Sequence, residues 1–377
     1  MKIYCILCDA AHFPMPVISS VAKKKNATFL SQVSNSWTLS SLAPLFTGKL
    51  TSDIIDHGLG WRSITKESVI ENKQPWYNDV IMNEMLKKDW DVHYHNNTYA
   101  YQLLYGDPRI KQTSTTCSEG EVEKAGAWSE KRIVDLMFGT DEKSNEFNNK
   151  EFNFIKQMQE EAPTKNKFYF IKYHHLHTAI GKKLNIEEAN QKIFDLIDAW
   201  DFNEPDSLFV FFADHGNYRL IDPYCTPPHA WLTWALVKDN TEDKKINKKL
   251  ISIRDLYTLF ADKVGVGYDK IEDIENIFSQ QNRERVFFME DGRSVIDKSC
   301  STTACAIKAI EWDDKEYPSK FLQVSYHKPQ NQFIMFLYDA PAQKLEICEN
   351  VDMGLKRKLI NRFSWINPWI KEYKSET

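Results

Sequence analysis

The sequence predicts an α/β protein: a central, mostly parallel sheet flanked by helices, with a smaller antiparallel sheet towards the C-terminus. Three observations carry this. The apolar runs Ile3 to Leu7, Lys167 to Tyr173 and Leu208 to Phe212 are short and continuous, as in strands buried on both faces. Helical spacing separates them, clearest where Ile193, Leu196, Ile197 and Trp200 fall at i, i+3, i+4 and i+7. Beyond residue 285 the pattern changes to period two and short runs. A larger α/β domain is therefore expected over residues 1–285, with an α+β subdomain over 286–377 packed on it.

The elements follow in order. Ile3 to Leu7 is a strand that ends at Asp9, and Pro16 to Ala22 a helix. Ala27 to Val33 is a strand leading into Ser34-Asn35-Ser36-Trp37-Thr38. A short helix follows, with Leu39, Leu42, Leu45 and Phe46 apolar and Gly48 as its stop. Asn78 to Lys88 has Ile81, Met82, Met85 and Leu86 at helical spacing, and Trp90 to Tyr94 is the next strand. Gly139 to Lys150 is polar and Asn-rich, which predicts a surface loop. The strand Lys167 to Tyr173 ends at His174-His175-Leu176-His177, where period-two alternation would put His175 and His177 on one face. The Leu208 strand ends at Asp214-His215-Gly216. Trp231 to Val237 is apolar, and Ile251 to Val264 is a helix with Ile253, Leu256, Leu259 and Phe260 inward. Arg285 to Met289, Ala304 to Trp312, Lys320 to His327 and Gln332 to Tyr338 form the antiparallel sheet, closed by a helix over Met353 to Phe363.

Composition narrows the function classes. A chain of 377 residues, 42% hydrophobic and 13% aromatic, buries one large core or two smaller ones. A net charge of -5 argues against a nucleic-acid binder, and Lys23 to Lys25 and the cluster Lys244, Lys245, Lys248 and Lys249 are expected to be solvated surface. The seven cysteines are irregularly spaced, and Cys5 and Cys8 lie inside an apolar strand as buried thiols. The N-terminus is too short in apolar residues for a leader, and no run reaches the roughly 18–20 residues of a membrane span. The expected setting is soluble, reducing and cytoplasmic, with oligomeric state open.

Chemistry-bearing residues gather at strand and helix ends. Thr38, at or just before the first turn of its helix, has free backbone N–H groups and the positive end of the dipole beside its hydroxyl. Such a hydroxyl can attack a bound oxyanion. Asp9, Asp214 and His215 sit past the carboxyl ends of two strands, where open α/β sheets hold ligands. Asp56-His57-Gly58 repeats the Asp-His-Gly triplet after a helix and a polar turn, a supporting element at most. His177, and His229 after Pro227 and Pro228, are further candidates.

Thr38-Leu39-Ser40-Ser41-Leu42 closing in Thr47-Gly48-Lys49, with His57-Gly58 shortly after, resembles the nucleophile motif of sulfatase-like hydrolases in the alkaline phosphatase superfamily. Anchoring on Thr47-Gly48-Lys49 puts Thr38 at the nucleophile position. The order of Asp9, the histidine-ended strand and Asp214-His215-Gly216 also matches, and Met335-Phe336-Leu337-Tyr338-Asp339-Ala340-Pro341 is similar to the closing Leu-Tyr-Asp-Leu segment. The resemblance implies an alkaline phosphatase/sulfatase-like fold, with residues 1–285 as its catalytic domain. Three departures point away from sulfate esters. Threonine cannot become the formylglycine of sulfatases, the Pro-Ser-Arg after the nucleophile is Ser40-Ser41-Leu42, and the paired aspartates after the first strand are Asp9-Ala10. They favour phosphoryl transfer through a threonine.

The chemistry then expected is metal-dependent cleavage or transfer of a phosphodiester or phosphomonoester. Asp9, Asp214 and His215, with Thr38, would hold a divalent cation that lowers the Thr38 hydroxyl pKa. Lys49, His177 and His229 are the candidates for protonating the leaving group or gripping the nonbridging oxygens. Mixed oxygen and nitrogen ligands favour Zn²⁺ or Mn²⁺, and a more oxygen-rich site would suit Ca²⁺ or Mg²⁺. The partner is a small-molecule or headgroup ester, selected by loops within 100–150 and 217–230, where Tyr99, Tyr101, Tyr105, Trp128 and Tyr224 lie in or beside the loops. Two alternatives stand beside this expectation: a sulfatase that acts without the usual modification, and a non-catalytic relative that keeps the fold for binding.

Overall fold

The computed structural model describes residues 1–11, 15–35, 38–50, 53, 80–96, 109–114, 141–216, 228–291, 303–313, 317–327, 330–363 and 366. Strands β1 (Lys2–Cys8), β2 (Thr28–Val33), β3 (Asp91–His95), β4 (Lys111–Thr113), β5 (Lys167–Tyr173), β6 (Ser207–Phe212), β7 (Leu232–Asp239) and β8 (Leu250–Ser252) form one sheet. Their order is β4-β3-β5-β1-β6-β7-β2-β8, parallel throughout except for β7, which runs antiparallel to both β6 and β2. The central strands are apolar without alternation because both faces are covered. Ile3, Cys5 and Leu7 of β1 join one core with Phe168, Phe170, Val210 and Phe212. Tyr4, Ile6 and Cys8 face the other with Tyr169, Ile171, Phe209 and Phe211. Cys5 and Cys8 are buried free thiols, as expected.

Helices α1 (Met15–Lys24), α2 (Thr38–Thr47), α3 (Ile81–Lys87), α4 (Asp141–Glu160), α5 (His175–Lys182), α6 (Ile186–Asp198), the single turn α7 (Pro228–Trp231), α8 (Leu256–Val264) and α9 (Met353–Arg362) are the α-helices among the described residues that fix the layers. Leu42, Leu45 and Phe46 of α2, Ile81 and Met85 of α3 and Leu259 and Phe260 of α8 cover the first face. Ile18 of α1, Ile155 of α4, Ala179 of α5 and Ile193 and Leu196 of α6 cover the second. Helix α2 stops where Gly48 takes φ +71°. A Cβ there would stand 2.9 Å from Ile271 and 3.0 Å from Tyr257, so glycine is required twice over.

The second sheet is antiparallel, in the order β13-β12-β11-β10-β9, from β9 (Phe287–Asp291), β10 (Thr303–Trp312), β11 (Pro318–His327), β12 (Gln332–Asp339) and β13 (Lys344–Cys348). Alternation divides its faces. Cys305, Ile307 and Phe321 pack on Val33, Trp231 and Leu232 beside the large sheet, and Ala304, Ala306 and Val324 pack under Leu355 and Leu359 of α9. This places the small sheet against the segment that leads from β2 into Thr38.

Two local expectations are corrected and one element is added. Residues 139–150 are not loop throughout, because Asp141–Glu160 is a 20-residue helix. Its buried Phe147, Glu151, Ile155 and Met158 recur at i, i+4, i+8 and i+11, and Glu146–Lys150 and Lys156–Glu160 pair one turn apart. Ile251 to Val264 is not one helix: Leu250–Ser252 is a strand paired with β2. The Ser252 and Asp255 capping box then starts the helical turn. The Lys344–Cys348 strand is a further element that was not expected, since only one of its residues, Leu345, packs against a core.

Candidate functional site

Asp9, Thr38, Asp214 and His215 come together at the carboxyl ends of β1 and β6, opposite the start of α2. All four are buried, none more than 2% exposed. β1 and β6 are paired in register, Leu7 against Phe212, so the residues just beyond each strand meet. Ala10 turns with φ +56°, which aims its N–H at Asp214 Oδ1 at 3.2 Å. The His215 N–H binds the same oxygen at 3.0 Å. That leaves Asp214 Oδ2 buried without a hydrogen-bond partner among the described residues, 3.6 Å from His215 Nε2.

The His215 ring is oriented from behind. Its Nδ1–H donates to the Gly216 carbonyl at 2.8 Å, which turns Nε2 towards Thr38 Oγ1 at 3.3 Å and Asp9 Oδ1 at 3.3 Å. Burial pulls the basicity of His215 down, but Asp214 and Asp9 more than reverse this and raise it. Burial also lifts the Asp214 carboxyl, with His215 opposing and Asp9 reinforcing the rise. Two buried carboxylates and a ring nitrogen thus converge on one point that calls for positive charge.

Asp9 has the strongest cationic surroundings. Burial works to raise its carboxyl, yet His177 and Lys172 beside it, with a hydrogen bond to His177, hold it well below the usual carboxylate range. Lys172 Nζ is 2.6 Å from Asp9 Oδ2 and His177 Nδ1 is 3.2 Å from Oδ1. His174 Nδ1 lies 3.6 Å from Oδ2, while its Nε2 contacts the Asn96 carbonyl at 3.2 Å. Burial and Lys172 push His174 down to about 4. Asn96 in turn donates to Glu151 Oε1 at 2.8 Å, so the network continues along the sheet rim to β3 and α4.

The donor set fits a cation. Asp9, His177 and His215 each offer one ligand atom, all within 4.8 Å of one another, and Asp214 Oδ2 lies 3.6 Å from His215 Nε2 beside them. Asp9, Asp214, His215 and Thr38 are the residues that would hold a divalent ion, with His177 at the edge of the same cluster.

Lys49 does not join them. It lies beyond the last turn of α2, and the ten-residue helix separates it from Thr38 by roughly 15 Å. Its place as the nearby lysine is taken by Lys172. His175 and His177 do not share a face, because helix α5 begins at His175 and replaces the strand period by 3.6. His175 is buried against Phe147 and Tyr173, while His177 reaches Asp9. Burial pushes His175 down to about 3. The side chain of His229 lies outside the described residues, as do His57, Tyr99, Tyr101, Tyr105, Trp128 and Tyr224. Lys172 and His174 were missed. Burying the Lys172 ammonium requires a carboxylate, but only the register that sets Leu7 of β1 beside Lys172 shows that this carboxylate is Asp9.

No helix among the described residues is long and apolar enough to cross a membrane. No family model and no curated protein matches the sequence. Among solved structures, the chain is similar to a protein assigned as a sulfatase from Bacteroides thetaiotaomicron, with TM-score 0.62, 12% identity, and 98% of this chain and 91% of that chain covered. A protein in the alkaline phosphatase superfamily from Vibrio parahaemolyticus aligns with TM-score 0.58, 12% identity and coverage of 98% and 88%. The phosphonate monoester hydrolase of Agrobacterium radiobacter aligns with TM-score 0.53, 11% identity and coverage of 98% and 95%. The chain has the fold of the alkaline phosphatase superfamily and its sulfatases, as its motifs imply.

Proposed function

We propose that this protein is a divalent-metal-dependent phosphoester hydrolase or phosphotransferase with Thr38 as its nucleophile. The observation that carries this is the Thr38 hydroxyl at the first residue of α2, 3.3 Å from His215 Nε2 and beside two buried carboxylates. A divalent cation bound by Asp9, Asp214, His215 and Thr38 would lower the hydroxyl pKa and offset charge on the phosphoryl oxygens. Thr38, its hydroxyl proton released to solvent, forms the Oγ1–P bond as the P–O bond to the ester oxygen breaks, and the N–H groups of the first α2 turn bind the nonbridging oxygens.

Lys172 holds Asp9 ionised and adds positive charge to an anion-binding site. His177 is half-exposed and anchored through Nδ1 to Asp9, which suits it to carry the proton to the leaving oxygen. Water then releases the phosphothreonine in a hydrolase, or an acceptor alcohol does so in a transferase. Mixed oxygen and nitrogen donors favour Zn²⁺ or Mn²⁺. Threonine, with no route to formylglycine, favours phosphate over sulfate.

The test is elemental analysis together with an aryl phosphodiester, phosphomonoester and sulfate panel, for the wild type and Thr38→Ala. Bound metal with phosphoester turnover lost in Thr38→Ala is the expected result. Turnover of sulfate alone would make the protein a sulfatase. No metal and no turnover would leave a fold kept for binding.

A further inference from the structure

The Ser41 hydroxyl is buried at 0% exposure in α2, three residues after Thr38. A serine inside a helix ordinarily bonds back to a carbonyl of its own preceding turn. Thr47 of the same helix does so, donating to the Ala43 carbonyl at 2.7 Å. Ser41 instead donates across the chain to the Asp214 carbonyl at 2.6 Å and accepts the Asn35 N–H at 3.2 Å. Asn35 Oδ1 accepts the Glu290 N–H of β9 at 3.2 Å, which ties the same knot to the small sheet. One hydroxyl therefore joins the loop before the nucleophile, the nucleophile helix and the strand end that carries Asp214 and His215.

We propose that Ser41 is a positioning residue that sets the register between Thr38 Oγ1 and the metal-ligand pair Asp214 and His215. The proposal rests on Thr38 being the nucleophile beside a metal. The core contacts of Leu42, Leu45 and Phe46 hold the body of α2, while at its start Thr38 Oγ1 meets His215 Nε2 at 3.3 Å and the Ser41 hydroxyl bonds the Asp214 backbone. An outer hydrogen bond that orients ligands is worth about 10–100-fold in activity or metal affinity, and a misplacement of about 1 Å costs as much.

The experiment compares full-length wild type, Ser41→Ala, Ser41→Cys and, as a control for loss of a buried α2 hydroxyl, Thr47→Val. Each is loaded with Co²⁺ and examined for ion stoichiometry, the cobalt d–d absorption band, and kcat and KM on an aryl phosphodiester. Ser41→Ala is expected to bind the ion at wild-type stoichiometry, change the band and lose about 10–100-fold in kcat with KM nearly unchanged. Thr47→Val keeps the wild-type band and kcat. Ser41→Cys, close in size but a weak donor, shows a loss of the same sign and decides the matter if the alanine protein does not fold by circular dichroism. A folded Ser41 variant with wild-type kcat and band overturns the positioning role alone. A wild type with neither ion nor turnover overturns the functional reading, and Ser41's role falls with it.

Discussion

Two of the buried carboxylate groups among the described residues, one around Asp255 and one around Asp9 and Asp214, are built in opposite ways. Asp255, where α8 begins, has both oxygens fully engaged. Oδ1 accepts from the Glu275 N–H at 3.0 Å and Arg285 Nη2 at 2.9 Å, and Oδ2 accepts from the Ser252 N–H at 2.8 Å and Arg285 Nη1 at 2.5 Å. Neighbouring Arg254 donates to the Gly48 and Glu272 carbonyls at 2.8 and 2.6 Å, which pins the end of α2. At the rim of the large sheet, Asp214 keeps one oxygen without a hydrogen bond among the described residues, and Asp9 collects Lys172 and three histidines on two oxygens. A satisfied buried charge is structural. A converging and incompletely satisfied one is poised for a ligand.

The largest separation between the two groups is expected from Asp214→Asn. It removes a charge that Asp255 does not share: kcat/KM on the preferred phosphoester should fall by at least about 10³-fold, roughly 4 kcal/mol of transition-state stabilisation. Metal-free stability should hold or rise, because Asp9 loses a like-charged neighbour. A drop of several kcal/mol in the urea midpoint of metal-free protein would make Asp214 structural and dissolve the contrast.

Arg285→Met is the converse. It leaves Asp255 buried without its cation, and a loss of about 3–5 kcal/mol in unfolding free energy is expected, with ion stoichiometry kept in the protein that remains folded. Metal addition ranks third. At about a hundred times Kd, the ion should stabilise the wild type by about 2.7 kcal/mol, give the same increment to Arg285→Met and give little to Asp214→Asn. Equal increments in all three proteins would put the ion somewhere other than the rim.

The contrast also explains what was legible in the sequence. Asp9, Asp214 and His215 could be found because each follows an apolar strand, and parallel strands bring their carboxyl ends to one rim. Thr38 could be found because a helix start and a glycine stop frame it. Lys172 could not be separated from strand composition without the register that sets Leu7 beside it and Asp9 two residues on. Lys49 misled because motif spacing counts residues along the chain, while a ten-residue helix converts that count into distance. His175 and His177 misled because the chain changes period between Tyr173 and His175, a boundary that three histidines in four residues conceal. Beyond its capping box with Ser252, Asp255 is joined to the Glu275 N–H 20 residues on and to the Arg285 guanidinium 30 residues on, and no local spacing records either.

The finest test of the same distinction uses two histidines. His215 is drawn upwards by two carboxylates, whereas His93 on β3, half-buried against the Tyr169 ring at 4.8 Å, has none strong enough to hold a proton. Burial, with Lys111 and Lys167, pushes His93 down to about 4. The unfolded chain takes up its proton near the ordinary histidine value of about 6.5. Between pH 6.5 and about 4 the unfolded state therefore binds a proton that the folded state refuses. Stability present above that range is lost as pH falls through it. His93→Gln removes this component and leaves every other titration common to both proteins. The difference in urea midpoint between wild type and His93→Gln should accordingly move against the wild type from pH 7 to pH 4.5. Parallel midpoints across that range would mean that the His93 imidazole accepts its proton as readily folded as unfolded, and that lysine neighbours and burial do not govern it.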